Sequence, residues 1–409
     1  MSRKRIVVLG GGVGGLVAAN RLRQLLHQHD IVLVEKNPQH YFAPSFLWLM
    51  TGDRKPEQVT RNLRALVRPG IEVLETTVQQ IDLHNHRIHT DALTLNYDYL
   101  IIALGAELVW ETIPGLTSAH TFYTFEGAMK LRKALDSFSG RTVAVVVGSS
   151  PYKCPGAPHE GAMLLKDFFR RRGQMVHVHL FTPESQPMPV AGPELGNAVL
   201  QMLQAKGIAF HPLHKLTSID SDAVTLFFDG KEPVNCDLIV AIPPHRAPAA
   251  VREAGITNEA GWVTVDARTL LTNQKNVYAI GDITTIPLPG RWKSDVPLML
   301  PKAGVFAHAQ ALVVAHEIAA EITGSRCPRQ FCAEGYCMLE AGEGLAGFAF
   351  GDFFGEPSPK VELRRMGMVW HWGKIFFEQW WLSSFGAKRK LLETAMRLGA
   401  KAYGVPLEL

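Results

Sequence analysis

RIVVLGGGVGG, Arg5 to Gly15, is the stretch whose reading decides the fold. Ile6-Val7-Val8-Leu9 reads as a buried parallel strand, Gly10 to Gly15 as a turn, and Leu16 to Leu22 as a helix of small and apolar residues. Gly10, Gly12 and Gly15 fall on G-x-G-x-x-G. The first glycine permits the tight turn, the second lets backbone N–H groups approach a pyrophosphate, and the third lets the helix pack closely on the strand. A second strand, Ile31 to Val34, ends in Glu35, about 20 residues beyond the last glycine, where an acidic side chain can accept from ribose hydroxyls. A glycine fingerprint alone is weak. With strand, helix and ribose acid in register it reads as a dinucleotide site.

Two later stretches bear on which dinucleotide. Tyr97 to Ala106, YDYLIIALGA, is a hydrophobic strand closing on a small-residue turn at Gly105, suited to recross near a bound adenine nucleotide. Thr272 to Asp282, TNQKNVYAIGD, is another strand, ending in Gly281-Asp282. An aspartate there can bond a ribityl hydroxyl while a helix N-terminus faces the pyrophosphate. Each alone reads equally well as an ordinary strand and turn, but three such motifs in this order point to FAD rather than NAD.

RTVAVVVGSSPYKCPGAPHE, Arg141 to Glu160, begins as another nucleotide site, a β-branched run ending in Gly148. Where further glycines are expected stand Ser149, Ser150 and Pro151, then Cys154, bracketed by Pro155 and Pro158. The frame is kept while phosphate chemistry gives way to thiol chemistry. The prolines restrict the backbone around the thiol, and Lys153 beside it favours the thiolate. Gly161 to Arg172 then reads as a helix and Met175 to Phe181 as a strand, with His177 and His179 as solvated or satisfied strand histidines.

The 409 residues suffice for two or three domains, and 47% hydrophobic with 20% charged residues excludes wholesale disorder. A net charge of +4 is too weakly basic to argue for nucleic acid. Five cysteines at irregular spacing form neither a secreted disulfide framework nor a zinc ligand set, so no metal is expected. The start leaves no room for an apolar signal region of roughly 7–15 residues, and no run reads as the roughly 18 apolar residues of a membrane span. The expectation is a cytoplasmic protein, or one bound to a membrane from the cytoplasmic face.

These motifs resemble the two-dinucleotide-domain flavoprotein superfamily over nearly the whole chain, and within it the sulfide:quinone oxidoreductases. Four places carry the resemblance. His40-Tyr41-Phe42-Ala43-Pro44-Ser45 resembles the family's aromatic-Pro-Ser turn after the ribose acid, with Pro44 beside the cofactor. Cys154 and Glu160 resemble its Cys-(x5)-Glu segment. Pro301-Lys302-Ala303-Gly304 resembles the turn that sets a lysine near the flavin pyrimidine, and Cys337, followed by the aromatic run Gly342 to Phe354, resembles the C-terminal active-site segment.

The resemblance implies FAD, held noncovalently because Phe42-Ala43-Pro44 lacks the thiol that attaches it in the related flavocytochrome c sulfide dehydrogenases. It implies that sulfide or hydrosulfide reacts at a Cys154–Cys337 disulfide, although Cys337 alone reads as a core cysteine. Glu160, with His159 beside it in sequence, becomes the proton acceptor, its pKa raised by an apolar loop. Lys302 would balance the charge of reduced flavin. A membrane quinone would take two electrons in a pocket roofed by Phe348, Phe350, Phe353 and Phe354. The chain departs from the family in lacking a third cysteine in Thr121 to Phe125, and in placing Met188, Pro189 and Val190 where a histidine is frequent. Cys236 reads as packing, and Cys327 and Cys332 as exposed bystanders. Two other readings stay open: a type II NADH:quinone dehydrogenase, which needs the nicotinamide fingerprint that Gly148 to Pro151 lacks, and a non-catalytic flavin-binding scaffold.

Four of the eight tryptophans fall between Trp370 and Trp381. Met366, Val369, Trp370, Gly373, Phe376, Phe377, Trp380, Trp381 and Phe385 recur at helical spacing as one broad aromatic face, followed by Lys388, Arg389, Lys390, Arg397 and Lys401. That composition suits a helix lying in the headgroup layer of a membrane. Packing onto the protein's own core, or onto a homo-oligomer partner, is the other reading. The expected architecture is α/β: two Rossmann-like domains with the FAD domain split in sequence (1–113 and 263–325) around a degenerate second domain (114–262). Active-site and quinone-site strands (326–365) and an amphipathic C-terminal membrane-association segment (366–409) follow.

Overall fold

The computed structural model describes residues 3–293, 295–326 and 329–407. Its helices in chain order are α1 (Val13–Leu25), α2 (Phe46–Thr51), α3 (Phe125–Asp136), α4 (Ala157–Arg171), α5 (Pro193–Ala205), α6 (Ala249–Arg252), α7 (Gly304–Thr323), α8 (Met368–Trp381) and α9 (Ala387–Ala402).

Three sheets organise the chain. The first is parallel, with Arg5–Leu9 at its centre between Asp30–Glu35 and Tyr99–Ile102, and with Ile71–Glu75 and Val277–Ala279 at the edges. Val8 aligns with Leu33 on one side and Ile101 on the other, and Ile6 to Leu9 have no exposed surface. Burial on both faces is why this strand is a continuous apolar run rather than an alternating one. The second sheet is also parallel, in the order Ala209–His211, His177–Phe181, Thr142–Val147, Leu238–Ile242. The third is antiparallel, with Glu334–Gly342, Leu345–Asp352 and Lys360–Gly367 side by side.

α7 is 20 residues long and apolar enough by composition to cross a bilayer, where the sequence reading expected no such run. Phe306, Ala311, Val314, Ala315 and Ile318 on it are buried in the core of the first sheet, and it packs along α1. Its hydrophobicity is that of a helix enclosed by protein.

The C-terminal segment divides in a way that one aromatic face does not capture. On α8, Trp370, Trp380 and Trp381 are buried against the protein, while Trp372 and Phe376 are 51% and 42% exposed beside exposed Met368 and Val369. α9 buries only Leu392 and leaves Leu391 and Leu398 in solvent. The inner half of the helix therefore belongs to the core, and only the outer half is free.

Candidate active site

A cavity of about 1040 Å³ opens where the three sheets meet, lined among others by Phe42, Pro44, Cys154, Glu160, Lys302, Cys337 and Lys374. The second sheet supplies the first thiol. Its strand Thr142–Val147 ends at Gly148, and the chain crosses to α4 through a loop that carries Cys154. α4 starts at Ala157, four residues before the expected Gly161, so Glu160 sits on its first turn and is buried. Glu184 follows the neighbouring strand His177–Phe181 much as Glu35 ends Asp30–Glu35 in the first sheet. Glu184 accepts from the Tyr152 hydroxyl at 3.0 Å and the Ser150 hydroxyl at 3.3 Å, so the loop occupies the second domain's own acid.

Cys154 stands in the left-handed backbone region at φ 55°, and its N–H donates to the Lys302 carbonyl at 2.7 Å. That bond ties the thiol loop to the segment carrying the expected flavin-site lysine. The third sheet brings Cys337 to the same place. A Cβ on Gly156 would lie 2.9 Å from Leu339 Cδ2 and 3.6 Å from Cys337 Sγ, so the missing side chain permits the approach. Both cysteines are free thiols.

The electrostatics differ from the sequence reading. The Cys154 side chain opens onto the cavity, yet the protein packed around it pushes the thiol up to about 12, with Glu160 adding to the effect. Lys374 is the cation that opposes the shift most; Lys153 and Cys154 also attract each other, but burial outweighs both. Burial, then Glu160 and Cys154, push the Cys337 thiol higher still. Glu160 does not stand alone in an apolar loop: its Oε2 accepts from Lys374 Nζ at 2.6 Å and from the Glu340 backbone N–H at 3.0 Å. Burial works to discharge the Lys374 ammonium, but Glu160 and Glu340 outweigh it and hold its pKa above the ordinary lysine value.

His159 leaves the site altogether. Buried on α4, with Nδ1 3.2 Å from the Pro155 carbonyl and its ring against Phe210, it is lowered to about 4 by burial. Lys302 lines the cavity, but its ammonium donates to the Asp282 and Thr284 carbonyls at 2.7 and 2.9 Å and lies 3.5 Å from the Trp262 ring centre. Burial lowers it to about 8, against the pull of Asp282. Of the four expected quinone-site phenylalanines, Phe350 and Phe353 line the cavity. Phe348 stacks on Trp370 at 4.4 Å, and Phe354 packs edge-on to Phe331 under Arg268, so those two are packing residues. Cys236 is buried as expected, exposed Cys332 borders the cavity, and Cys327 lies outside the described residues.

The residues present fit an FAD cradle. A Cβ on Gly15 would lie 1.8 Å from the Gly10 carbonyl oxygen, and one on Gly10, at φ 101°, would lie 2.4 Å from the Ala103 oxygen. Gly12 and Gly105 face open space. Asp282 Oδ1, beside Gly281, is buried without a hydrogen-bond partner, as an acceptor for a ligand hydroxyl would be. Glu35 Oε2 accepts from the Gly11 N–H at 2.6 Å, which sets its carboxylate against the glycine turn.

Lys374, Glu340 and His371 escaped the sequence reading. Lys374 falls on the same helical stripe as Trp370, Phe377 and Trp381, and a cation on an apolar stripe was the available signal. Glu340 and His371 gave none, because their meeting depends on how α8 lies across the third sheet.

A model of the pyridine nucleotide-disulphide oxidoreductase family matches residues 4–311, and the chain belongs to that family. It is an FAD-binding α/β oxidoreductase, similar in kind to the sulfide:quinone oxidoreductases. It is 25% identical to the mouse mitochondrial sulfide:quinone oxidoreductase, over 69% of this chain and 66% of that protein. It is 28% identical to the sulfide-quinone reductase of Aquifex aeolicus, over 93% and 90%. The X-ray structure of the sulfide:quinone oxidoreductase from Aquifex aeolicus superposes with a TM-score of 0.82 at 26% identity, covering 98% of this chain and 94% of that one.

Proposed function

We propose that the protein oxidises sulfide and reduces a membrane quinone. The observation that carries this reading is the thiol loop. In a family built around two dinucleotide domains, the second domain's strand-to-helix turn carries Cys154 in place of the later glycines, and its acid, Glu184, is already bonded to Ser150 and Tyr152. A nicotinamide cofactor lacks its usual seat there, which disfavours an NADH dehydrogenase.

In this reading Cys154 and Cys337 cycle between the free thiols and a disulfide. Hydrosulfide forms a new S–S bond to one cysteine sulfur as the cysteine–cysteine bond breaks, leaving a persulfide on one residue and a thiolate on the other. FAD, when bound, supplies the two-electron acceptor between this pair and quinone. The raised Cys154 pKa favours the protonated thiol, so closing the disulfide again requires a base, and Glu160 is the buried carboxylate beside both sulfurs. Gly10, Gly12, Gly15, Glu35, Pro44, Gly105, Gly281 and Asp282 would hold FAD without a covalent bond. Lys302, whose ammonium is engaged with two carbonyls, would set the field at the pyrimidine end. Phe350 and Phe353 are the aromatics left to face quinone.

The outer face of α8, with Trp372 and Phe376, together with Leu391, Leu398 and the lysines of α9, suits the headgroup layer from which quinone would enter.

Anaerobic stopped-flow mixing tests the reaction class. Sulfide, and not NADH, is expected to bleach the flavin, and the reverse result overturns the assignment. Cys154→Ser and Cys337→Ser should each abolish quinone reduction by sulfide; full activity in either variant rules out the thiol mechanism.

A further inference from the structure

Lys302 is 7% exposed, yet its ammonium is held without an ion pair to any carboxylate among the described residues. Two of its three N–H donors go to the Asp282 carbonyl at 2.7 Å and the Thr284 carbonyl at 2.9 Å, which leaves the third for the face of Trp262, 3.5 Å from Nζ to the ring centre. An indole face attracts a cation most strongly where water is excluded, and Trp262 is buried. Neither a carbonyl nor an aromatic ring carries a net charge, so this shell holds the ammonium without cancelling it. Trp262 is itself fixed. Its N–H donates to the Asn258 side-chain oxygen at 3.1 Å, and its carbonyl accepts from the Asn258 N–H at 2.8 Å. The next two residues, Val263 and Thr264, pair in parallel with Thr284 and Thr285, so the ring and the Thr284 carbonyl are set in one register. The other charged or titratable groups around the ammonium are Asp282, which draws both Lys302 and Lys153, Lys153 itself, and His245, pushed down to about 3 by burial and then by the two lysines.

We propose that Trp262 is a positioning residue whose indole face keeps the Lys302 ammonium charged at the pyrimidine end of bound FAD and so raises the potential at which the cofactor accepts electrons. The inference rests on the reading that places Lys302 there. Reduced flavin is more negative than oxidised flavin, so a cation beside it that no contacting carboxylate cancels favours the reduced form. Burial already works against the charge and brings Lys302 down to about 8, so a modest loss of support discharges it near neutral pH. With leucine in place of Trp262 one N–H loses its partner, and the ammonium should release its proton about 10-fold more readily.

The flavin midpoint potential of holoenzyme, measured by equilibration with a reference dye, tests the role. At about pH 7.5, Trp262→Leu should lie about 30 mV below wild type, which is a tenfold shift in a two-electron equilibrium. Trp262→Phe keeps a weaker face and should fall between the two; it carries the comparison if W262L fails to retain FAD. At about pH 6, where Lys302 stays protonated in either variant, the gap should close, which a merely loosened core would not reproduce. Lys302→Met should lower the potential at both pH values, and adding W262L to it should change nothing further. A W262L potential equal to wild type at the higher pH while K302M falls, a deficit that persists unchanged at the lower pH, or a further drop in the double variant each overturn the role of Trp262 and leave that of Lys302 standing. A wild-type potential in K302M overturns the placement of Lys302 beside the flavin, and the inference with it.

Discussion

At the residue scale, the buried pair of Glu160 and Lys374 is the feature with the largest energetic consequence. Lys374→Met leaves the Glu160 and Glu340 carboxylates beside each other without their cation, so unfolding free energy should fall by about 3–5 kcal/mol. Adding Glu160→Leu should recover much of that loss. Urea denaturation of the single and double variants checks it, and a single variant as stable as wild type would mean that water enters the pair. Cys154 illustrates what residue-level reading can and cannot do. Its position between prolines announced a held thiol, and the left-handed backbone and the bond to the Lys302 carbonyl show how it is held. The ionisation reading failed because sequence adjacency to Lys153 says nothing about how much protein surrounds the sulfur, and burial outweighs that cation. His159 was misplaced for the same reason: next to Glu160 in sequence, it lies outside the cavity lining, against Phe210.

At the element scale, α8 joins two environments on one helix. Its inner face meets three parts of the chain: Lys374 bonds Glu160, Glu378 accepts from Ser45 and Arg54, and the Trp381 indole N–H donates to His40 Nε2 at 2.8 Å. An indole N–H can only donate, so His40 carries its proton on Nδ1 and gives it to the Gly11 carbonyl at 3.0 Å, bracing the glycine turn. Trp381→Phe should cost about 1–3 kcal/mol through the unpaired histidine nitrogen and weaken FAD retention, measured by flavin fluorescence after dilution. Substituting both Trp372 and Phe376 by Ser should change stability by no more than about 0.5 kcal/mol per site while reducing sedimentation with anionic vesicles. Trp380→Ala, by contrast, should cost about 3–5 kcal/mol. Undiminished vesicle binding by the double variant would remove the membrane role of this face. The helical period of this segment was legible because apolar recurrence is a local property. Its division into a buried and a free face was not, since both faces are aromatic and only contact with α2, the glycine turn and the third sheet tells them apart.

At the scale of the whole molecule, buried neutral histidines in both dinucleotide-type domains set its acid limit. Burial lowers His40 and His159 to about 4 from an ordinary value of 6.5. Between those values the unfolded chain binds protons that the folded one refuses, so stability is full above about pH 6.5 and falls as pH drops toward 4, by about 1.4 kcal/mol per pH unit for each histidine. Denaturation midpoints across that range should fall less steeply in His159→Phe than in wild type, and parallel curves would refute the assignment. The sequence alone determined the parallel α/β class, the G-x-G-x-x-G turn with Glu35 ending the next strand, and the break in the second domain where Cys154 stands. Each of these is written in short-range patterns of glycine, β-branched and acidic residues that local backbone geometry demands. Only the tertiary structure decided that Cys154, Cys337, Glu160 and Lys374 share one cavity, that Phe348 and Phe354 turn away from it, and that Glu184 is occupied by its own loop. Those facts join residues from different sheets and helices, and which face of each element meets another is settled by packing the whole chain at once.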